Sequence, residues 1–198
     1  MTGTYKNKLL TGALSLSLLP FTFAGAQSSA NAAFMETGKL TSIPVGHYHF
    51  CNEAPQECNT KTRGDVRVQL NANNWRQLLE VNHFANTSVA SITDADLYGT
   101  EEHWTYPTNA GDCEDYVLLK RRMLIDRGWP EASLLITVVR QRNGEGHAVL
   151  TVRTDRGDLI LDNLEQTVKL WNETPYEFIK RQSKNHTGKW EIIKDKRA

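Results

Sequence analysis

The stretch Gly111-Asp112-Cys113-Glu114-Asp115-Tyr116, running on through Val117-Leu118-Leu119-Lys120-Arg121-Arg122-Met123-Leu124-Ile125-Asp126, decides the reading of this chain. Its second half, Val117 to Asp126, has helical composition and spacing. Asp112 suits the N-cap, and Glu114 and Asp115 put negative charge in the first turn, where the helix dipole favours it. Gly128 and Pro130 stop the helix. Cys113 therefore sits in the first turn, where free N–H groups and the dipole favour a thiolate over a thiol. The competing reading is an inert, buried cysteine, which is common.

Downstream the period changes from helical to alternating. Leu134 to Arg140 is apolar and β-rich, and Asn143-Gly144-Glu145-Gly146 is turn chemistry. From His147 to Arg153 the residues alternate, with His147, Val149, Thr151 and Arg153 on one face. Thr154-Asp155-Arg156-Gly157 is a second turn, and Asp158 to Leu164 reads as a third strand. The fold class is α+β, with the Cys113 helix packed on an antiparallel sheet. A symmetric turn centred on Asp155-Arg156 places Asp162 opposite Val149. His147 and Asp162 then become diagonal neighbours on one face, about 7–8 Å apart at the backbone and within side-chain reach. A one-residue bulge would break this register. With the register intact, His147 takes the Cys113 proton, and Asp162 orients the imidazole and stabilises its charged form. Taken singly, His147 reads as a satisfied histidine and Asp162 as a surface acid.

Upstream, the first residues read as a secretory leader. Lys6 and Lys8 precede an apolar run from Leu9 to Phe23, which is short for a membrane span. Small residues follow, so cleavage is expected after Ala26 or as late as Ala32; an uncleaved anchor is the alternative. Residues 27–198 then form one domain of about 170 residues, enough for one core. Removing Lys6 and Lys8 leaves 21 basic against 23 acidic side chains, and this near-neutral balance gives no reason to expect nucleic acid. The local run Lys120-Arg121-Arg122 reads as a solvated helix face.

Export to the periplasm or beyond makes a disulfide the natural fate of Cys51 and Cys58, which are close together with Pro55 between them. It leaves Cys113 as the odd thiol. His47 and His49 near these cysteines admit a zinc reading, but the spacing fits no standard zinc pattern. Residues 36 to 62 look irregular or partly extended, and Thr93 to Pro107 looks like loop. Asn73 to Ala85 has helical spacing, with an apolar stripe of Trp75, Leu78, Leu79, Asn82 and Phe84. Trp75 and Trp171 are expected in the core. The oxyanion of an acyl-transfer reaction needs donors; the Cys113 N–H is the default, and Trp104 reads either as an indole donor or as a packing residue.

The three motifs around Cys113, at Gly146-His147-Ala148-Val149-Leu150 and at Leu161-Asp162-Asn163-Leu164 together resemble the bacterial transglutaminase-like cysteine proteinases. The similarity runs from about Phe34 to Trp190, taking in Gly46-His47, Phe50-Cys51, Trp75, Val81-Asn82, Tyr98-Gly99, Trp104 and Lys120-Arg121. It implies a papain-like core in minimal transglutaminase form and a Cys113–His147–Asp162 triad. LapG-type periplasmic members cut a large surface adhesin, answer to an inner-membrane receptor and require calcium. On this resemblance Asp112 and Glu114, and less directly Asp115, are calcium ligands, and carboxylates are the right ligand type. No organic cofactor is implied. The substrate is then a protein or peptide. Transglutaminase- or amidase-type acyl transfer on the same core begins with the same thioester, and a non-catalytic calcium-responsive binding module is the third reading.

Overall fold

Leu134–Arg140, Gly146–Thr154 and Gly157–Leu161 (β4, β5 and β6) fold as the antiparallel meander their alternation requires. Leu150 pairs with Leu161, Thr151 with Ile160 and Arg153 with Asp158, the register of a turn centred on Asp155-Arg156. Strand β6 ends at Leu161, short of the expected Leu164, because the next residues turn away from the sheet. Asn86 holds that turn by donating to the Asp162 carbonyl at 2.8 Å, and the Leu164 N–H donates to Asp162 Oδ1 at 3.0 Å.

The computed structural model describes residues 1–4 and 33–197. The leader expected over residues 1–26 or 1–32, with Lys6, Lys8 and the apolar run Leu9 to Phe23, lies almost wholly outside the described residues. No helix among the described residues is long and apolar enough to cross a membrane. The first strand, Thr37–Thr41 (β1), pairs with the last, His186–Ile193 (β9). With Lys169–Leu170 (β7) and Glu177–Ser183 (β8) they build a seven-stranded sheet ordered β1-β9-β8-β4-β5-β6-β7, its pairings antiparallel.

Val45–Glu53 (α1) and Pro55–Cys58 (α2) occupy part of the region that the sequence suggested was irregular. Neither has the periodic apolar stripe that marks a helix in sequence; packing and the Cys51–Cys58 disulfide fix them instead. The zinc reading fails here, since both sulfurs are committed to that bond. Ala72–Ser88 (α3) is capped by the Asn71 side chain, which accepts from the Asn74 N–H at 2.9 Å. The buried face of α3 is Leu78, Val81, Asn82 and Ala85; Trp75, Leu79 and Phe84 are exposed. Trp75 is therefore no core residue, whereas Trp171 is. The inward stripe is rotated because it must meet the helix Cys113–Asp126 (α5).

Ala90–Ser91 and Ala110–Gly111 (β2 and β3) form a short parallel pair beside α5, and Asp94–Tyr98 (α4) lies between them in sequence. Thr93 caps α4, accepting from the Asp96 N–H. The expected loop thus contains one short helix. Helix α5 lays Val117, Leu118 and Leu124 into the core against β4 and β5. The Gly128 and Trp129 N–H groups close its last turn on Ile125 O and Leu124 O.

The basic run on α5 is not the solvated face its composition suggested. Lys120 is completely buried and Arg121 nearly so, with only Arg122 partly in solvent. Arg121 is paired with Glu131 at 3.2 Å and Glu57 at 3.7 Å, and donates to the Leu134 carbonyl at 3.3 Å. A buried guanidinium persists only with such partners. Arg122 also reaches Glu57, so α5 grips α2 through one carboxylate.

Candidate active site

Cys113 opens α5 at the wall of a cleft of about 450 Å³, which His147, Glu102, Trp104, Glu114 and Lys180 also line. Two chain features bring Cys113 and His147 together. Helix α5 packs across β5, and the Asn143–Gly146 turn starts β5 with the imidazole at the strand end. The neighbouring Ala148 N–H favours the ionised form of the Cys113 thiol.

His147 Nε2 lies 2.8 Å from Asp162 Oδ1, and both side chains are buried. The diagonal pairing across β5 and the end of β6 sets this contact. Asp162 Oδ1 also accepts from the Leu164 N–H, and Oδ2 accepts from the Tyr176 hydroxyl. Burial pushes the Asp162 carboxyl up, but hydrogen bonds from His147, Tyr176 and Leu164 outweigh it and hold the group below the ordinary carboxylate range. Nε2 is occupied, so Nδ1 is the nitrogen left to exchange a proton. Tyr176 is a site residue the sequence reading missed. Its ring centroid stands 5.5 Å from that of His147, and only a residue after β7, distant in sequence, supplies it.

The thiol itself is not poised by the helix start alone. Burial pushes the Cys113 thiol well up, and the Glu114 charge adds to this; the Ala148 N–H works the other way. Cys113 Sγ donates to Glu114 Oε2 at 3.2 Å. Burial, then the neighbouring Asp112, pushes Glu114 up to about 9. The first-turn acids expected merely to favour the helix dipole thus also act on the nucleophile, in the opposite sense.

Behind the thiol lies an acidic cluster that sequence only half showed. Oxygens of Asp94, Asp112 and Asp115 lie within 4.8 Å of one another. Each carboxylate has one oxygen tied to backbone: Asp94 Oδ2 accepts from the His103 N–H, Asp112 Oδ2 from the Asp94 N–H at 3.3 Å, and Asp115 Oδ1 from the Thr105 N–H at 2.9 Å. The other oxygen of each, Asp94 Oδ1, Asp112 Oδ1 and Asp115 Oδ2, is buried with no partner. Burial pushes Asp115 up to about 7, with Asp112 and Asp94 adding to it. Three orphaned anionic oxygens at one point fit a hard cation, which takes about six to eight oxygens. Asp112 has thus spent its carboxylate on α4 and this cluster, and makes no side-chain cap to α5. Asp94 joins Asp112 and Asp115, and Glu114, whose Oε2 accepts from the thiol, groups with Asp112 and Cys113 beside them. Asp94 is remote from this motif in sequence, on a five-residue helix that carries no motif of its own.

Gly111 and Gly46 allow two close approaches. A Cβ on Gly111 would lie 2.5 Å from Asp115 Oδ2, and one on Gly46 would lie 2.3 Å from the Trp104 ring. Trp104 packs on Gly46 and on His47, ring centroids 5.3 Å apart, and its indole N–H donates to Glu102 at 3.0 Å. Trp104 lines the cleft, but its indole donor is engaged by Glu102.

A cysteine on a helix start, backed by an antiparallel sheet that carries a bonded histidine–aspartate pair, defines the transglutaminase-like class of cysteine peptidases. Residues 37–198 match the model of the family described as bacterial transglutaminase-like cysteine proteinase (BTLCP), and the chain belongs to that family of cysteine peptidases. Among solved structures, Legionella pneumophila LapG in its EGTA-treated form is 24% identical, with a TM-score of 0.51, over 63% of this chain and 69% of that one. This likeness bears on the fold. The calcium-bound form of Legionella pneumophila LapG is 26% identical with a TM-score of 0.49, and the match covers 55% of this chain and 64% of that one. The chain thus spans somewhat less than two thirds of that structure. No curated protein matches the chain.

Proposed function

We propose that this chain is an exported cysteine endopeptidase in which Cys113 attacks a peptide carbonyl, His147 carries the proton and Asp162 holds His147. The observation that carries the reading is the 2.8 Å His147–Asp162 bond at the cleft where Cys113 opens α5. His147 Nδ1 takes the thiol proton as sulfur bonds to the carbonyl carbon, then gives it to the leaving amine as the C–N bond breaks. Water then cleaves the thioester, with His147 as base. The Cys113 N–H at the open start of α5 is the oxyanion donor. Tyr176 and the Leu164 N–H keep Asp162 in place.

Asp94, Asp112 and Asp115 are proposed to hold calcium. The bound ion would supply positive charge beside the thiol, offsetting the carboxylates that now oppose its ionisation. Export is supported by the leader pattern and by the Cys51–Cys58 bond, which belongs to an oxidising compartment. The LapG-type resemblance makes a cell-surface protein such as an adhesin the substrate class to test, and an inner-membrane receptor the regulator.

Incubating the protein with calcium, a surface-protein fragment and an excess of a primary amine separates the chemistries. New N-termini without amine incorporation are expected; covalent amine incorporation would place the chain with the acyltransferases instead.

Calcium should also stabilise the fold. At a hundred-fold excess over Kd the gain is about 2.7 kcal/mol, or about 5–10 °C in Tm for a domain of this size. Asp94→Asn should remove most of that shift in a thermal melt, and an unchanged shift would exclude Asp94 from the site.

A further inference from the structure

The Cys113 cleft carries charge of both signs, on different elements. Glu102, Asp112 and Glu114 come from the segment before α5 and its first turn, and Lys180 of β8 comes from the sheet. The acids are committed within the protein. Glu102 accepts from the Trp104 indole at 3.0 Å, Glu114 accepts from the Cys113 thiol at 3.2 Å, and Asp112 belongs to the cluster behind the thiol. Lys180 is committed far less. Its Nζ donates to the Ser42 carbonyl at 3.0 Å and stands 5.9 Å from the Trp190 ring centroid. Among the described residues no carboxylate lies within ion-pair distance of it, whereas Arg140, further along the same β4–β8 pair, is closed on Glu177 at 2.9 Å. An ammonium has three N–H donors, and only one of them is used here among the described residues.

The sheet register places this ammonium relative to the reacting atoms. Ala148 of β5 pairs with Val138 of β4, and Val138 pairs with Lys180 of β8. All three line the cleft, so they form one row across the sheet. Neighbouring strands are about 5 Å apart, which puts the Lys180 backbone about 10 Å from that of Ala148. His147 and Cys113 line the cleft at the Ala148 end of the row. An extended peptide advances about 3.3 Å per residue, so a side chain about two or three residues from the scissile bond meets Lys180. Val138 and Ala148 between them give that side chain an apolar floor. Glutamate and aspartate match this arrangement, with a short apolar stem that ends in an anion. Partial burial lowers the Lys180 ammonium from its ordinary value, and a carboxylate beside it offsets that cost.

We propose that Lys180 is a specificity-determining residue of the Cys113 site: its ammonium takes an acidic side chain of the substrate, glutamate or aspartate, about two or three residues from the scissile bond. This rests on the reading of the chain as a cysteine endopeptidase and adds to it the charge of the segment that is cut. A lysine that merely fastened Ser42 to the sheet would affect all substrates alike, whereas a subsite lysine sorts them by charge.

The test is cleavage of a mixed-sequence peptide library with calcium present, the cut sites being read on both sides by mass spectrometry. Native protein should favour glutamate or aspartate over glutamine or asparagine by about ten-fold at one fixed position, as a charge-assisted hydrogen bond does. Lys180→Glu should invert the choice at that position to lysine or arginine. Lys180→Gln, which keeps a donor for the Ser42 carbonyl, should abolish the preference and leave cleavage of peptides without charge there within about two-fold. A library cut with no acidic preference, or an acidic preference that survives in K180Q, would overturn the role of Lys180 and leave the peptidase reading standing. So would K180Q slowing every peptide equally, the mark of a fastener. No cleavage of any peptide by native protein would overturn the peptidase reading, and this proposal with it.

Discussion

Cys113→Ala is expected to lower kcat/KM by about 10⁴-fold or more, as removal of a nucleophile does in hydrolases that act through a covalent intermediate. The fold should survive. Cys113 is half-buried at the mouth of the cleft, so losing its sulfur removes few packing contacts. The substitution also removes the donor to Glu114, and Tm should move by no more than a degree or two upward or downward, about 0.5 kcal/mol. Cleavage of a peptide substrate, assayed with calcium, checks the first statement, and a melt checks the second. Activity within ten-fold of the native protein would mean that another group attacks the carbonyl.

Asp162→Ala is expected to cost about 10³–10⁴-fold in kcat/KM, the range seen when the third member of such a triad is removed. Three donors converge on this carboxylate: His147 Nε2, the Leu164 N–H and the Tyr176 hydroxyl. Alanine leaves all three without an acceptor and frees the imidazole to turn. Asp162→Asn should cost a similar amount, about 10³–10⁴-fold, because the amide keeps the packing but loses the charge that stabilises the imidazolium and no longer enforces the tautomer of His147. A loss of less than ten-fold with either variant would exclude Asp162 from the triad.

The site was legible where it is built on regular structure. Strand alternation on both sides of a four-residue turn fixes which residues face each other, and the Leu150–Leu161 pairing puts His147 next to Asp162. The Cys113 helix start was legible for the same reason, since capping chemistry is local. The disulfide followed from compartment and proximity. What sequence hid was set by tertiary packing. Asp94 reaches Asp112 and Asp115 only because a parallel β2–β3 pair folds its segment back beside α5. Helices α1 and α2 lack a periodic face, so their existence depends on what they pack against. Lys120 and Arg121 look like surface residues in composition; Glu57 and Glu131 let Arg121 be buried, whereas Lys120 is buried with no hydrogen-bond partner among the described residues. The inward face of α3 was misplaced because several of its apolar residues, Trp75, Leu79 and Phe84, are exposed. The electrostatics were the least legible part: helix-start chemistry argues for a thiolate, whereas burial and Glu114 argue against one until positive charge arrives.

Cys51 and Cys58 are bonded to each other, so Cys113 carries the one thiol of the chain, and its alkylation rate can be read on the intact protein by mass. With calcium at neutral pH, native protein should take one iodoacetamide adduct faster than free cysteine does, and His147→Ala should slow it to below that rate. A thiol that labels only after denaturation, or one that labels equally fast without His147, would contradict the reading of Cys113 as a nucleophile activated by its histidine.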